Sequence, residues 1–140
     1  MQVKFKYLTS TRSAPVYSSQ GAACFDLHAI HDVRIYPHQQ ASIRTGLSVE
    51  IPAGHALMVY SRSGHAMRNR VSLGNSVGVI DSDYRGEIIV MVRNDGPDVF
   101  DVTYGMRIAQ GMVIACPAVQ FVEADLSSTE RGENGFGSTG

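Results

Sequence analysis

A chain of 140 residues is long enough for one hydrophobic core and too short for two; with 44% hydrophobic and 18% charged residues it reads as an ordinary globular domain, not a disordered one. Twelve Lys and Arg against thirteen Asp and Glu leave a formal charge of −1, which excludes the global electrostatic footprint of a nucleic-acid binder and makes any phosphate binding local. No apolar run approaches the roughly 18 residues of a membrane span, and the start Met1-Gln2-Val3-Lys4-Phe5-Lys6 lacks the apolar core of an export signal, so the expected compartment is the cytosol.

Residues 3–7 alternate with period two and predict a half-buried strand. The polar stretch 9–20, with Pro15, reads as a loop. Short β-type pieces follow at 26–29, 33–36, 41–49 and 56–60, separated by turn signals such as Pro52-Ala53-Gly54. Only 61–67 suits a helix, with Ser61 as the candidate N-cap. Further strands are expected at 71–73, 99–102, 107–115 and 118–122. Many short strands and almost no helical periodicity predict an all-β fold, an antiparallel sandwich, jelly roll or barrel, with one short helix.

The run 78–86, Gly-Val-Ile-Asp-Ser-Asp-Tyr-Arg-Gly, concentrates two carboxylates, an aromatic and a guanidinium between Val79-Ile80 and the apolar 88–92. It reads as a hairpin whose polar apex faces a ligand, against the plainer reading of a turn held by local hydrogen bonds. Residues 87–92 are apolar on both alternating faces, which implies burial on both sides; in a small protein the second cover is another subunit. Residues 106–114 are similarly apolar. Cys24 and Cys116 have no CxxC partner and read as buried free thiols in strands. The five His show no metal-ligand spacing. The glycine-rich stretch 129–140 cannot order itself, but Phe136 among glycines, with Arg131, Ser138 and Thr139 as donors, suits a flap that closes on a ligand.

Five stretches in order, 23–27, 61–64, 78–86, 107–110 and 131–140, resemble the motifs of the trimeric dUTPases, the deoxyuridine triphosphate nucleotidohydrolases, and the resemblance spans nearly the whole chain. It implies a distorted jelly-roll-like β fold assembled as a homotrimer with active sites shared between subunits. It divides the chain into a core at 1–128 and a flap at 129–140. The implied reaction converts dUTP and water to dUMP and pyrophosphate with Mg2+, keeping uracil out of DNA and supplying dUMP for dTMP synthesis.

By the same resemblance Asp81 matches the carboxylate that activates the attacking water, and the Ile-Asp-x-x-Tyr spacing selects it over Asp83. Tyr84 matches the ring that lies against deoxyribose and excludes a 2′-hydroxyl. The backbone of Gly78, Val79 and Ile80 would pair with uracil, with Asn75 beside it. Arg62, Ser63, Gly64 and Gln110 match phosphate contacts, although Arg62 can instead orient carboxylates. Asp26 matches the acid that touches the metal through water, the ion being held mainly by substrate phosphates. Phe136 would stack over uracil, and Arg131, Gly137, Ser138 and Thr139 would close on the phosphates. Cys24, His65, Met106 and Asn134 depart from the family's usual residues. Two other readings remain: a dCTP deaminase or bifunctional deaminase of related fold, separable by ammonia release, and a regulatory protein that binds a partner through the same surface.

Overall fold

In the computed structural model, which describes residues 1–10 and 13–135, the chain is all-β with one short helix. Twelve strands are present among the described residues. They are β1 (Lys4–Tyr7), β2 (Val16–Tyr17), β3 (Phe25–His28), β4 (Val33–Ile35), β5 (Gln40–Arg44), β6 (Leu47–Glu50), β7 (His55–Tyr60), β8 (Val71–Leu73), β9 (Gly78–Ile80), β10 (Ile89–Asn94), β11 (Phe100–Val102) and β12 (Arg107–Ala115); α1 (Ser63–Asn69) lies between β7 and β8. The largest sheet runs β2-β3-β12-β7-β9 and a second runs β5-β10-β8; the pairs β1-β6 and β11-β4 complete the set. Every pairing is antiparallel. No helix among the described residues is long and apolar enough to cross a membrane.

The core is aliphatic. Leu27, Ile35, Ile43, Leu47, Leu57, Ile88, Val90 and Val102 are all but sealed from solvent, and the apolar area they bury drives the sheets together. Close approach matters at Gly111 on β12, where an added Cβ would sit 2.6 Å from the Phe25 ring. The Phe25 ring packs on bare backbone there and meets Tyr17 edge to face, with centroids 5.9 Å apart. Asn94 is the buried polar hinge between β10 and the next loop: its amide donates to Ile35 O and Asp98 O, and its Oδ1 accepts from Gly96 N.

Several expectations need correction. The stretch 9–20 is not wholly loop, because β2 pairs with β3 through Val16 and Tyr17; two residues are too few to show a period. The piece 41–49 is two strands in different sheets, broken at Gly46, whose φ of +66° only glycine adopts at little cost. Ser61 does not cap α1. The N-cap is Arg62, without a side-chain cap, and Ser61 Oγ instead accepts a hydrogen bond from Leu73 N at 2.8 Å.

No strand forms at 118–122, where Val119, Phe121 and Val122 stand exposed. Cys24 and Cys116 are free but lie outside the strands, one half-buried and the other exposed. The helix interrupts an otherwise β chain because Arg70, in left-handed conformation at φ +55°, ends it after barely two turns.

The largest correction concerns 78–92. Its two arms do not pair with each other: β9 joins β7, and both edges of β10 are already occupied by β5 and β8. The chain therefore changes sheets at its apex. Strand β10 buries Val90, Val92 and Asn94 but leaves Ile89 and Met91 exposed, so within one chain it is covered on one face only.

Candidate active site

Where the chain crosses from β9 to β10 a cleft of about 240 Å³ opens between the two sheets. Its lining includes Asn75, Gly78, Val79, Ile80, Asp81 and Tyr84 from one side and Glu87 to Met91 from the other, with Val59 and Leu73 at its base. Strand β9 is the last of its sheet among the described residues, so its outer backbone edge has no strand partner there. Such an edge presents free donors and acceptors to any occupant. Gly78 lets the ribbon pass close to β7, since a Cβ there would approach Val59 Cβ to 3.2 Å.

The apex closes as a tight turn, with Tyr84 N donating to Asp81 O at 3.2 Å. Tyr84 Oη donates to Glu87 O at 3.1 Å, which leans the ring across the loop. Asp81 lines the cleft and Asp83 does not. The Asp81 carboxylate has no hydrogen bond or ion pair among the described residues, which leaves it available to a water molecule.

A second group of the predicted residues assembles on β3, β12 and the start of α1. Asp26 Oδ1 lies 3.4 Å from Arg62 Nε, and its Oδ2 lies 3.3 Å from an Arg107 guanidinium nitrogen. Ser18 Oγ donates to the same Oδ2 at 2.6 Å. Burial pushes the Asp26 carboxyl up, but the Ser18 hydroxyl and the two guanidiniums more than offset it and hold it below the ordinary carboxylate value. Neighbouring His28 is moved down, first by burial and then, against the pull of Asp26, by Arg107 and Arg62.

Ser63 and Gly64 open α1. The Arg68 guanidinium folds back over Gly64, where a Cβ would stand 2.8 Å from it. His65 Nε2–H donates to Arg107 O at 2.9 Å and its ring meets Phe100 edge to face, so the histidine at this position is tied to β12. Gln110 donates to Ser61 O at 3.2 Å and lines a shallow groove with Cys24, Tyr60, Ser76 and Met112.

The predicted site residues thus fall into two groups within one chain. The cleft gathers Asn75, Gly78, Val79, Ile80, Asp81 and Tyr84, and its lining contains none of Asp26, Arg62, Ser63, Gly64, Gln110 or Arg131. Arg131 is exposed, in a turn where Asn134 N donates to its carbonyl. Phe136, Gly137, Ser138 and Thr139 lie outside the described residues. Sequence reasoning missed Ser18, whose role depends on β2 folding onto β3, and it left Arg107 as part of a motif with no task of its own. It also missed Glu87, which had no signal beyond following the apex.

Among the described residues no cluster of three or more His, Cys, Asp and Glu could hold a metal ion. The acidic side chain that could touch the water shell of an ion carried in on phosphates is Asp26, whose carboxyl is held below the ordinary value beside two guanidiniums.

The chain is similar to known proteins along nearly its whole length. The dUTPase family model matches residues 11–140. The chain is 42% identical over 141 residues to the deoxyuridine 5'-triphosphate nucleotidohydrolase of Nautilia profundicola, covering all of this chain and 99% of that one. It is 43% identical to the enzyme of that name from Picosynechococcus sp., with the same coverage. Among solved structures, the dUTPase of Staphylococcus bacteriophage 80alpha with dUPNHPP is similar with a TM-score of 0.89 at 26% identity, over 99% of this chain and 98% of that one. The family model takes in residues 11–140 and the curated relatives align over the whole chain at 42–43% identity, so the chain belongs to the dUTPase family.

Proposed function

We propose that the protein is a dUTP diphosphatase that hydrolyses dUTP to dUMP and pyrophosphate, with uracil and deoxyribose in the cleft between β9 and β10. One observation carries this reading: the free edge of β9, the unpartnered Asp81 carboxylate and the Tyr84 ring share one cleft. The edge amides and carbonyls of Gly78, Val79 and Ile80 meet the polar rim of uracil, with Asn75 beside it. Cytosine would set donor against donor there, and mismatched buried polar groups discriminate by roughly 10⁴–10⁵. Tyr84 packs against the sugar and leaves no room for a 2′-hydroxyl.

Asp81 accepts a proton from the water that attacks the α-phosphorus, a step worth about 10²–10⁴-fold. Arg62, Ser63, Gly64 and Gln110 bind the phosphates and neutralise charge as the leaving pyrophosphate departs. Asp26, positioned by Arg62 and Arg107, would hold a water of a Mg2+ ion carried on the substrate phosphates, and that ion would supply polarisation of the phosphates.

A cleft of about 240 Å³ is smaller than the roughly 300–1,000 Å³ of typical ligand sites. The cationic group lies outside it, and Ile89, Met91, Val119 and Phe121 are uncovered. These features support a jelly-roll-like protomer that assembles as a homotrimer, in which neighbours complete each site. The chain divides into a core at 1–128 and a flap at 129–140 that brings Arg131, Phe136, Gly137, Ser138 and Thr139 over the bound nucleotide. Pyrophosphate release from dUTP tests the activity and ammonia release from dCTP tests the deaminase alternative. A protein that releases ammonia and no pyrophosphate overturns the reading, and a solution mass equal to one chain overturns the trimer.

A further inference from the structure

The segment 85–88 is bound to the corner between β5 and β6 far more tightly than a connecting loop requires. Ser48 Oγ donates to Arg85 O at 2.6 Å, Thr45 Oγ1 donates to Ile88 O at 2.6 Å, and Ile88 N donates to Leu47 O at 2.8 Å. Those three bonds already fasten the backbone. Glu87 adds more: its Oε1 accepts from Gly46 N at 2.8 Å and its Oε2 from Arg44 Nε at 2.9 Å, so both carboxylate oxygens are engaged on a side chain only 13% exposed.

Its carbonyl, meanwhile, takes the Tyr84 phenol proton at 3.1 Å. Gly86 between them is bare where the Tyr84 ring lies, and a Cβ there would overlap the ring and its hydroxyl. Gly86 and the Glu87 carbonyl therefore seat the aromatic ring directly, and Arg44 and Gly46 from the β5–β6 corner hold the residue that supplies that carbonyl.

We propose that Glu87 is a positioning residue for the Tyr84 ring, anchored by Arg44 and the Gly46 amide, and through that ring a determinant of selection between deoxyribo- and ribonucleoside triphosphates. The proposal rests on the reading that Tyr84 packs against the sugar. The Ile88 N–Leu47 O bond holds the far side of the peptide that carries Glu87 O, the carboxylate pins its near side to the β5–β6 corner, and together they seat the phenol and set the ring's depth in the cleft. Where the anchor is lost the ring swings on its χ angles and opens the space a 2′-hydroxyl needs, whereas the base edge on β9 is untouched. Selectivity falls more than turnover of dUTP.

The test is the ratio of kcat/KM for dUTP to that for UTP, measured with Glu87→Ala, Glu87→Gln, Arg44→Met and Tyr84→Ala, with thermal unfolding of each. Misplacing a group by about 1 Å costs up to about 10²-fold. The expected fall in the ratio is about tenfold for Glu87→Ala, smaller for Arg44→Met, and within about twofold for Glu87→Gln, which still accepts from Gly46 N. Lys4→Met, which removes only an exposed ion pair with Glu50, is the control that leaves the ratio unchanged. A lowered melting temperature with an unchanged ratio in Glu87→Ala overturns the proposal; should that variant not fold, an unchanged ratio in Arg44→Met does so. If Tyr84→Ala itself leaves the ratio unmoved, the sugar-packing reading has failed and the proposal falls with it. A ratio lost in Tyr84→Ala but kept in the Glu87 and Arg44 variants refutes only the proposal.

Discussion

Arg62 Nε stands 3.4 Å from Asp26 Oδ1, joining the cap of the only helix among the described residues to the middle of β3. The contact gives Arg62 a structural task in the free chain, with Arg107 closing the same carboxylate from the opposite oxygen at 3.3 Å. The pair is largely shielded from water, so breaking it leaves a poorly solvated charge.

This network predicts an acid limb of stability. Asp26 titrates below its ordinary value of 3.8 when folded, so its contribution is complete above 3.8 and is lost as pH falls through the depressed folded value. His28 is also moved down from 6.5; the folded state favours its neutral form, and stability declines as pH falls from 6.5 toward that lower value. Urea titrations of the parent and Asp26→Asn at a series of pH values should show the variant less stable at neutral pH and flatter below 3.8. Parallel curves would refute the assignment.

Asp81→Asn should lower kcat for dUTP by about 10²–10⁴-fold with little change in melting temperature, because the carboxylate has no partner to lose among the described residues. Asp83→Asn, outside the cleft lining, should stay within several-fold of the parent by the same assay. Equal losses would show that the turn and not the base had been damaged.

Gly111→Ala should destabilise by about 1–3 kcal/mol, since its Cβ meets the Phe25 ring at 2.6 Å across β3 and β12. Adding Phe25→Leu should return part of the loss, because the two positions are in contact and not additive. Chemical denaturation of the single and double variants measures the coupling, and strict additivity would contradict the packing.

Asn94→Ala strips partners from Ile35 O, Asp98 O and Gly96 N at a site with no solvent access. The expected loss is about 2–4 kcal/mol, read as a fall in melting temperature of several degrees. A change under about 0.5 kcal/mol would mean that water replaces the amide.

Deleting residues after Ser128 should abolish dUTP turnover and leave the melting temperature of the core unchanged, since 129–135 are exposed and, among the described residues, bond only within their own turn. Retained turnover would remove the flap from the mechanism.

How much of this was legible beforehand can be argued element by element. Strand β12 matches its predicted range because Ile108, Met112, Val113 and Ile114 form a mostly apolar stretch in a chain with almost no helical periodicity. Residues 16–17 and the break at Gly46 did not show, since β2 exists only by pairing with β3, and a turn inside an apolar run leaves the period intact. The cleft-lining residues within 78–84 stood out because their chemistry is dense and contiguous. The Asp26 network was half visible: the motifs named Asp26 and Arg62, but Ser18 and Arg107 reach them only through sheet pairing.

The sequence alone therefore determined the all-β class and the family, and it named the candidate site residues, because alternation, composition and motif order are local properties of a chain. The tertiary structure decided that β9 and β10 part into separate sheets. With both edges of β10 taken by β5 and β8, the ribbon cannot close on itself and leaves its outer edge open over a cleft. Competition among strands for a limited number of hydrogen-bonding edges is a global property, and no window of sequence contains it.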